Sequence, residues 1–335
     1  MMIFDSTLRD GSHQVNHKLT KKNIEDYCRM IDDANMHTVI VGHGNGLGAS
    51  SLNVGLSLLS DEEMLLTAKQ NLKKTKLGAF LLPGFGTIKD NLQPAFECGV
   101  DLVCVASHCT EADITEQHIR YAKNHGKEAY GILMMQHTIS DDEILVQAQK
   151  MESYGADGIV LMDSAGASLP KAVGQRIDHL THHLSIPVGF HAHNNLGLAV
   201  ANTIAAVEAG AQIIDGTTRG FGAGAGNCQI EVVLAVLEKM GYETGVDLYR
   251  VIDAGDKVVS GFTTASQGIS GISLISGIAG VFSSYAHHVE AAAAEFGVDY
   301  RDIFIEMGKR KTVGGQEDIV VEVAAKLAEE KKNHG

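Results

Sequence analysis

"GFHAHNNLG", residues 189–197, sets two imidazoles two positions apart in a stretch that otherwise reads as buried apolar strand. Polar groups in a core are costly unless something satisfies them, so His191 and His193 need hydrogen-bond partners or a ligand. Residues i and i+2 of a strand face the same side, which aims both rings together. Where they aim depends on the kind of sheet that carries them.

Working outward, one theme repeats along the chain: a short apolar run, then an amphipathic stretch of helical spacing. The runs are "MIFDST" (2–7), "HTVIVGH" (37–43), "KLGAFLLPG" (76–84) and "DLVCVASH" (101–108). They continue as "EAYGILMM" (128–135), "DGIVLMDSAG" (157–166), "PVGFHAHN" (187–194) and "QIIDGT" (212–217). Helical candidates fill the gaps. In "SDDEILVQAQKMESYG" (140–155), Ser140 is placed as N-cap, Glu143 follows three residues on, and Gly155 terminates. Near-continuous apolar strands alternating with helices indicate a parallel sheet covered on both faces. Eight such units match a (β/α)8 TIM barrel, for which about 250 residues is typical. An open doubly wound sheet is the structural alternative. Beyond "GFGAGAGNCQIEVVLAVLEKMGY" (220–242) the alternation stops, and "HHVEAAAAEFG" (287–297) and "QEDIVVEVAAKLAEEKK" (316–332) read as helices. The reading is an α/β chain: a barrel over residues 1–245 and a helical C-terminal extension over 246–335, with "EEKKNHG" solvated and frayed.

The 335 residues carry 41 acidic and 27 basic side chains, a net charge of −14 that argues against nucleic acid or an anionic membrane surface as partner. No apolar run has membrane-spanning length, and "MMIFDSTLRDG" lacks the regions of a signal peptide. The five cysteines form no CxxC pair, as expected for reduced thiols in the cytoplasm.

In such a barrel the functional face lies at the C-terminal ends of the strands, so the polar residues closing the runs should converge. They are Asp5, Arg9, Asp10 and His13 after the first run, and His43 and Asn45 after the second. His108 closes the fourth and Asp163 and Ser164 the sixth. His191, His193 and Asn194 close the seventh, and Asp215 and Arg219, near Asn227, the eighth. Two imidazoles on one face read either as hydrogen-bonded core histidines or as divalent-metal ligands. The charged "RDGSH" turn at the same mouth favours the second, with Asp10 completing a two-histidine, one-carboxylate set open to water or substrate. Arg9 offers a fixed cation and a rigid donor fork for a carboxylate or a developing enolate oxygen, alongside a salt bridge to Asp10 or Asp5. A histidine's ordinary pKa lies near neutrality, so His13 is placed to serve as general base, or else is a loop histidine. Ser164 can donate to a bound acid, though "SAG" is also an ordinary turn. "GFGAGAGN" follows the eighth strand rather than opening a first βαβ unit, so it reads as a packed loop turning Asn227 toward the metal, not a dinucleotide loop.

The segments "DSTLRDGSH", "HGNGLGASS", "LLPGFGTIKD", "VASHCTEAD", "HIRYAK", "ILMMQH", "HAHNNLGLAVANT", "DGTTRGFGAGAGN" and "VGGQED" resemble, in order and spacing, the motifs of 4-hydroxy-2-oxovalerate aldolases. Those enzymes belong to the barrel superfamily of hydroxymethylglutaryl-CoA lyase and isopropylmalate synthase. The resemblance covers nearly the whole chain. It implies a divalent ion, usually manganese, on Asp10, His191 and His193, with Asn227 able to reach it. It also implies Arg9 steadying a pyruvate enolate and His13 as base. A 2-oxo acid substrate, a place in aromatic hydrocarbon catabolism and an oligomeric assembly follow from it, as does an acylating acetaldehyde dehydrogenase docked on the C-terminal region. Three positions depart from the family pattern. Ile40 stands where a glutamate is usual, Phe282 in "VFSSY" where a tyrosine is usual, with Tyr285 three places on, and "HAHNNL" replaces "HAHHNL". The first two remove polar groups near His13. They leave room for a Claisen-type acyltransferase or lyase of the same superfamily, or for a catalytically impaired homologue that stabilises a partner. Phe80 and Leu82 are placed to shape an aldehyde pocket.

Overall fold

The computed structural model describes residues 1–263, 267–312 and 315–334; Val313 and Gly314 of "VGGQED" lie outside the described residues. Eight parallel strands close in sequence order, the last pairing with the first, which excludes the open sheet. They are β1 (Met2–Asp5), β2 (Thr38–Ile40), β3 (Lys76–Leu81), β4 (Leu102–His108), β5 (Glu128–Met134), β6 (Gly158–Asp163), β7 (Val188–Ala192) and β8 (Ile213–Gly216). Each apolar run yields a strand, although β2 stops at Ile40 and leaves His43 in the loop beyond.

A helix follows each strand: α1 (Lys21–Asp33), α2 (Asp61–Asn71), α3 (Gln93–Glu97), α4 (Glu116–Asn124), α5 (Asp141–Ser153), α6 (Pro170–His183), α7 (Ala199–Glu208) and α8 (Ile230–Lys239). The start of α5 is the capping box expected of it, Ser140 accepting from Glu143 N–H while Glu143 accepts from Ser140 N–H. Side chains alternate along the strands. On β7, Phe190 and Ala192 join the layer between strands and helices, leaving Gly189 and His191 on the barrel axis. The interior is filled by residues such as Phe4, Ile40, Phe80, Tyr130, Val160 and Met162, so the barrel is a packed core rather than a pore.

Beyond the barrel, α9 (Leu248–Lys257) lies on α1, and its Val251 and Ala254 join the layer outside the strands. Helices α10 (Gly271–Ala279), α11 (Ala286–Phe296), α12 (Tyr300–Lys309) and α13 (Glu317–His334) gather around a core of their own that includes Val281, Tyr285, Phe304 and Val323. Of the "EEKKNHG" expected to be solvated and frayed, the described residues continue α13 as far as His334, and Gly335 lies outside the described residues. Lys326 and Glu330 pair along it at 3.7 Å, and Lys331 Nζ donates to the Gly297 carbonyl at 3.1 Å. No helix among the described residues is long and apolar enough to cross a membrane.

Candidate active site

The loop after β1 turns at once into a short 3-10 helix, Asp10–Val15, which folds Arg9, Asp10 and His13 back over the mouth of the barrel. On the opposite wall, β7 delivers His191 from its last turn of pleat and His193 just beyond. Asp10 Oδ2 is the meeting point. It lies 2.7 Å from Arg9 Nη1, 3.8 Å from His191 Nε2 and 3.8 Å from His193 Nε2. One donor atom from each of Asp10, His191 and His193 lies within 4.8 Å of the others, and all three residues are buried. An ion bound at about 2.0–2.2 Å from each donor can bridge the 3.8 Å separations between Asp10 and the two rings.

The surroundings fit such an ion. Asp10 Oδ1, His191 Nε2 and both side-chain polar atoms of Asn227 are buried with no hydrogen-bond partner, an arrangement that is costly unless something else satisfies them. The glycine loop presses close: a Cβ on Gly222 would fall 2.5 Å from Asn227 Nδ2 and 3.0 Å from Asp10 Oδ1. Asn227 also pairs its backbone with His193. Burial pushes the Asp10 carboxyl up, but Arg9 and the neighbouring imidazoles outweigh it and hold the carboxyl well below the usual range. Burial likewise pushes His193 down to about 4, against the pull of Asp10, so it is a neutral ring able to ligate.

Arg9 keeps its salt bridge with Asp10 while its guanidinium carbon sits 4.3 Å from the Phe80 ring centroid and Nη1 lies 3.3 Å from the Gly44 carbonyl. A cavity of about 70 Å³ opens in front of it, lined by Arg9, Asp10, His13, Phe80, Ser164 and His193, with Leu82, Met162 and Phe282 as apolar wall. Ser164 accepts from Met135 N–H at 3.2 Å, which leaves its own hydroxyl hydrogen to donate into the cavity. It belongs to a turn and to the site at once. His13 is half-buried, and burial lowers its pKa from the ordinary value, with Asp10 opposing. Asn45 lines the same cavity.

Other strand-end residues do not join. Arg219 turns outward to Asp256 at 2.9 Å, and its backbone N–H is held by Glu231. Asp163 accepts from Ala167 and Ser168 N–H to close its own turn. Asn194 Oδ1 accepts from Ala199 N–H at 3.1 Å, at the start of α7. His108 binds Thr110 Oγ1 at 2.7 Å. Asp5 faces α1, where Tyr27 donates to it at 2.6 Å. Ile40 is packed in the barrel interior away from the cavity wall. Tyr285 does not take the place of a hydroxyl at 282, because its side chain is buried in the C-terminal core and its oxygen accepts from Gln316 N–H at 3.2 Å.

Two more buried side chains support the site, Asp215 from the strand ends and Asn195, which sequence reasoning passed over. Asp215 Oδ1 accepts from Ser6 Oγ at 2.8 Å while its other oxygen faces His191. Asn195, fully buried, donates to the Ala165 carbonyl at 2.9 Å and to Ser283 Oγ at 2.6 Å, and accepts from Ala225 N–H at 3.1 Å. It thereby ties the loops after β6, β7 and β8 to the segment that carries Phe282.

Residues 1–258 match the HMGL-like family and residues 267–329 the DmpG-like communication domain. The chain is 54% identical over 333 residues to a 4-hydroxy-2-oxovalerate aldolase of Pectobacterium atrosepticum, covering 99% of this chain and 97% of that one. It is 51% identical to a 4-hydroxy-2-oxovalerate aldolase of Spirochaeta aurantia, over 98% of this chain and 96% of the other. The carboxyl transferase domain of Rhizobium etli pyruvate carboxylase shares the fold, with a TM-score of 0.78 at 15% identity, over 98% of this chain and 60% of that structure. The chain therefore belongs to the HMGL-like family and, within it, to the 4-hydroxy-2-oxovalerate aldolases.

Proposed function

We propose that the protein is a divalent-metal-dependent aldolase that cleaves 4-hydroxy-2-oxovalerate, or a related 4-hydroxy-2-oxo acid, to pyruvate and a short aldehyde. The observation that carries the reading is the meeting of Arg9 and two imidazoles on one buried carboxylate, Asp10. Asp10, His191 and His193 would hold the ion, with Asn227 as a further ligand and manganese as the preferred metal. When bound, the ion supplies Lewis-acid polarisation of the substrate's 2-oxo group.

The remaining work falls to side chains. Arg9 presents a cation already fixed by Asp10 and Phe80 to the substrate carboxylate and to the oxygen that gains charge as the enolate forms. Ser164 donates to the same acid. His13 removes the proton of the 4-hydroxyl. The C3–C4 electron pair passes to the three-carbon fragment as pyruvate enolate, C4 leaves as the aldehyde carbonyl, and C3 is then protonated. Phe80 and Leu82 flank the aldehyde side. The chemistry needs no Schiff-base lysine, and among the described residues no lysine lines the cavity.

The C-terminal helices, which match the communication domain, dock an acylating acetaldehyde dehydrogenase in an oligomeric assembly that consumes the aldehyde. Exposed Leu274 and Ile278 on α10 offer apolar surface for such contact. All five thiols are buried and unpaired, in keeping with a reducing cytoplasm. The test is product analysis: 4-hydroxy-2-oxovalerate with manganese should give pyruvate and acetaldehyde in equal amounts. Absence of both, with release of free CoA from an acyl-CoA instead, would show the acyltransferase alternative to be right.

A further inference from the structure

Behind His13 stands a pair of rings that the aldol chemistry does not use. His17 and His43 stack with centroids 3.7 Å apart and planes 22° apart, and His13 meets His17 edge-on at 4.9 Å. Both rings of the stack are buried. His43 is locked by its own loop: Nδ1 accepts from Asn45 N–H at 3.0 Å, which leaves Nε2 to donate to the Gly55 carbonyl at 3.1 Å. With both nitrogens engaged, it is a fixed neutral plate rather than a proton carrier. His17 Nδ1 lies 3.0 Å from Ser12 Oγ, whose hydroxyl reaches the Arg9 carbonyl at 2.7 Å.

The backbone is bent to bring His17 there. Asn16 and His17 are consecutive left-handed residues, at φ 48° and 60°. That region is uncommon for residues other than glycine, though asparagine and histidine enter it more readily than most, and such outliers persist only where their surroundings enforce them. Here His17 N–H donates to the Ser12 carbonyl at 2.7 Å, and the His17 carbonyl accepts from Leu58 N–H at 3.0 Å. The fit is tight on every side. A Cβ on Gly55 would fall 2.6 Å from His17 Cδ2, and a Cβ on Gly44 would fall 2.3 Å from His13 Nε2. His13 is thus bounded by the Gly44 backbone and by the ring of His17. Phe282, across the cavity, brings only carbon to it.

We propose that His17, backed by His43, is a positioning residue that holds the His13 imidazole in its working orientation; this rests on the reading of His13 as the base. The ring, rather than its titration, is what acts. A misplacement of about 1 Å in a reacting group costs about 100-fold in rate, so loss of the ring should appear in kcat, with substrate and metal binding little changed.

Steady-state kinetics of the full chain with manganese tests this, alongside calorimetric manganese titration and thermal melts. His17→Asn removes the ring while suiting the left-handed backbone, so its effect is free of backbone strain. It is expected to lower kcat about 100-fold, with KM and manganese affinity within about threefold. His17→Phe restores a ring and should return kcat to within about fivefold of the parent. Wild-type kcat in His17→Asn overturns the proposal. So does a parallel fall in Tm and manganese affinity, which would mark a structural role, or a His17→Phe enzyme as slow as His17→Asn. If His17→Asn does not fold, His43→Ala decides in its place: reduced kcat with manganese affinity kept supports the proposal, and unchanged kcat overturns it. His13→Asn separates the two readings. If it turns over normally, the base assignment fails; if it is inactive while His17→Asn is not, only the positioning role fails.

Discussion

Asp215 Oδ2 lies 3.0 Å from Nδ1 of His191, so a carboxylate of the neighbouring strand stands behind the imidazole that turns Nε2 toward Asp10. Ser6 in turn steadies Asp215. A carboxylate behind a ligating histidine fixes the ring and raises its basicity, and its removal typically weakens metal binding 10–100-fold. Asp215→Asn is therefore expected to raise the manganese Kd by about 10–100-fold while the protein stays folded. An unchanged Kd in calorimetric titration would remove Asp215 from the site.

Arg9 combines an ion pair with a stacked guanidinium, two contacts that an ammonium does not reproduce together. Arg9→Lys should fold normally and lose about 100–1000-fold in kcat, the scale seen when one preorganised donor to a developing oxyanion is removed. A loss confined to KM would mean that Arg9 only binds substrate.

Acid should destabilise the protein before its carboxylates titrate. Burial pushes His17 down to about 3 and His43 to about 4 in the folded state, whereas an unfolded histidine titrates near 6.5. Below that value the unfolded chain takes up protons that the folded chain refuses, so stability present above pH 6.5 is lost as the pH falls toward 4. Melting temperatures of the metal-free protein should drop over this window, and His43→Phe should flatten the drop. A Tm independent of pH between 6.5 and 4.5 would contradict the assignment of neutral buried rings.

Asn195 satisfies two acceptors and one donor from three separate segments. Asn195→Ala leaves the Ala165 carbonyl and Ala225 N–H without these bonds, a cost of about 1–3 kcal/mol for each buried group left unpaired. The expected result in denaturant is a lower midpoint with an unchanged slope, together with faster proteolysis in residues 267–329. A midpoint equal to that of the parent would show that water replaces the side chain at no cost.

What was readable in advance follows from the physics of each signal. Continuous apolar runs between helical stretches leave a parallel sheet little alternative, and all eight strands form where those runs lie. The pair His191 and His193 was readable because strand pleating is strictly two-fold. Arg219, Asp163 and Asn194 were named with the strand ends, yet Arg219 is claimed by Asp256 on α9 and the other two by N–H groups of their own turns, geometry that no periodicity records. Asn195 was missed beside Asn194 because its partners, two main-chain groups 30 residues away and a serine hydroxyl 88 residues away, are distant in sequence. His17 carried a usable signal, four residues after His13 in "HQVNH", but the left-handed turn that brings the rings together is visible only in the fold.

The central claim is that Asp10, His191 and His193 jointly hold a divalent ion on which cleavage depends. It is tested most directly by assaying pyruvate release from 4-hydroxy-2-oxovalerate with protein stripped by a chelator, before and after manganese is added back. Turnover should vanish on stripping and return with one ion per chain, and His191→Ala should neither bind the ion nor regain activity. Full turnover by stripped protein in the continued presence of chelator would contradict the account.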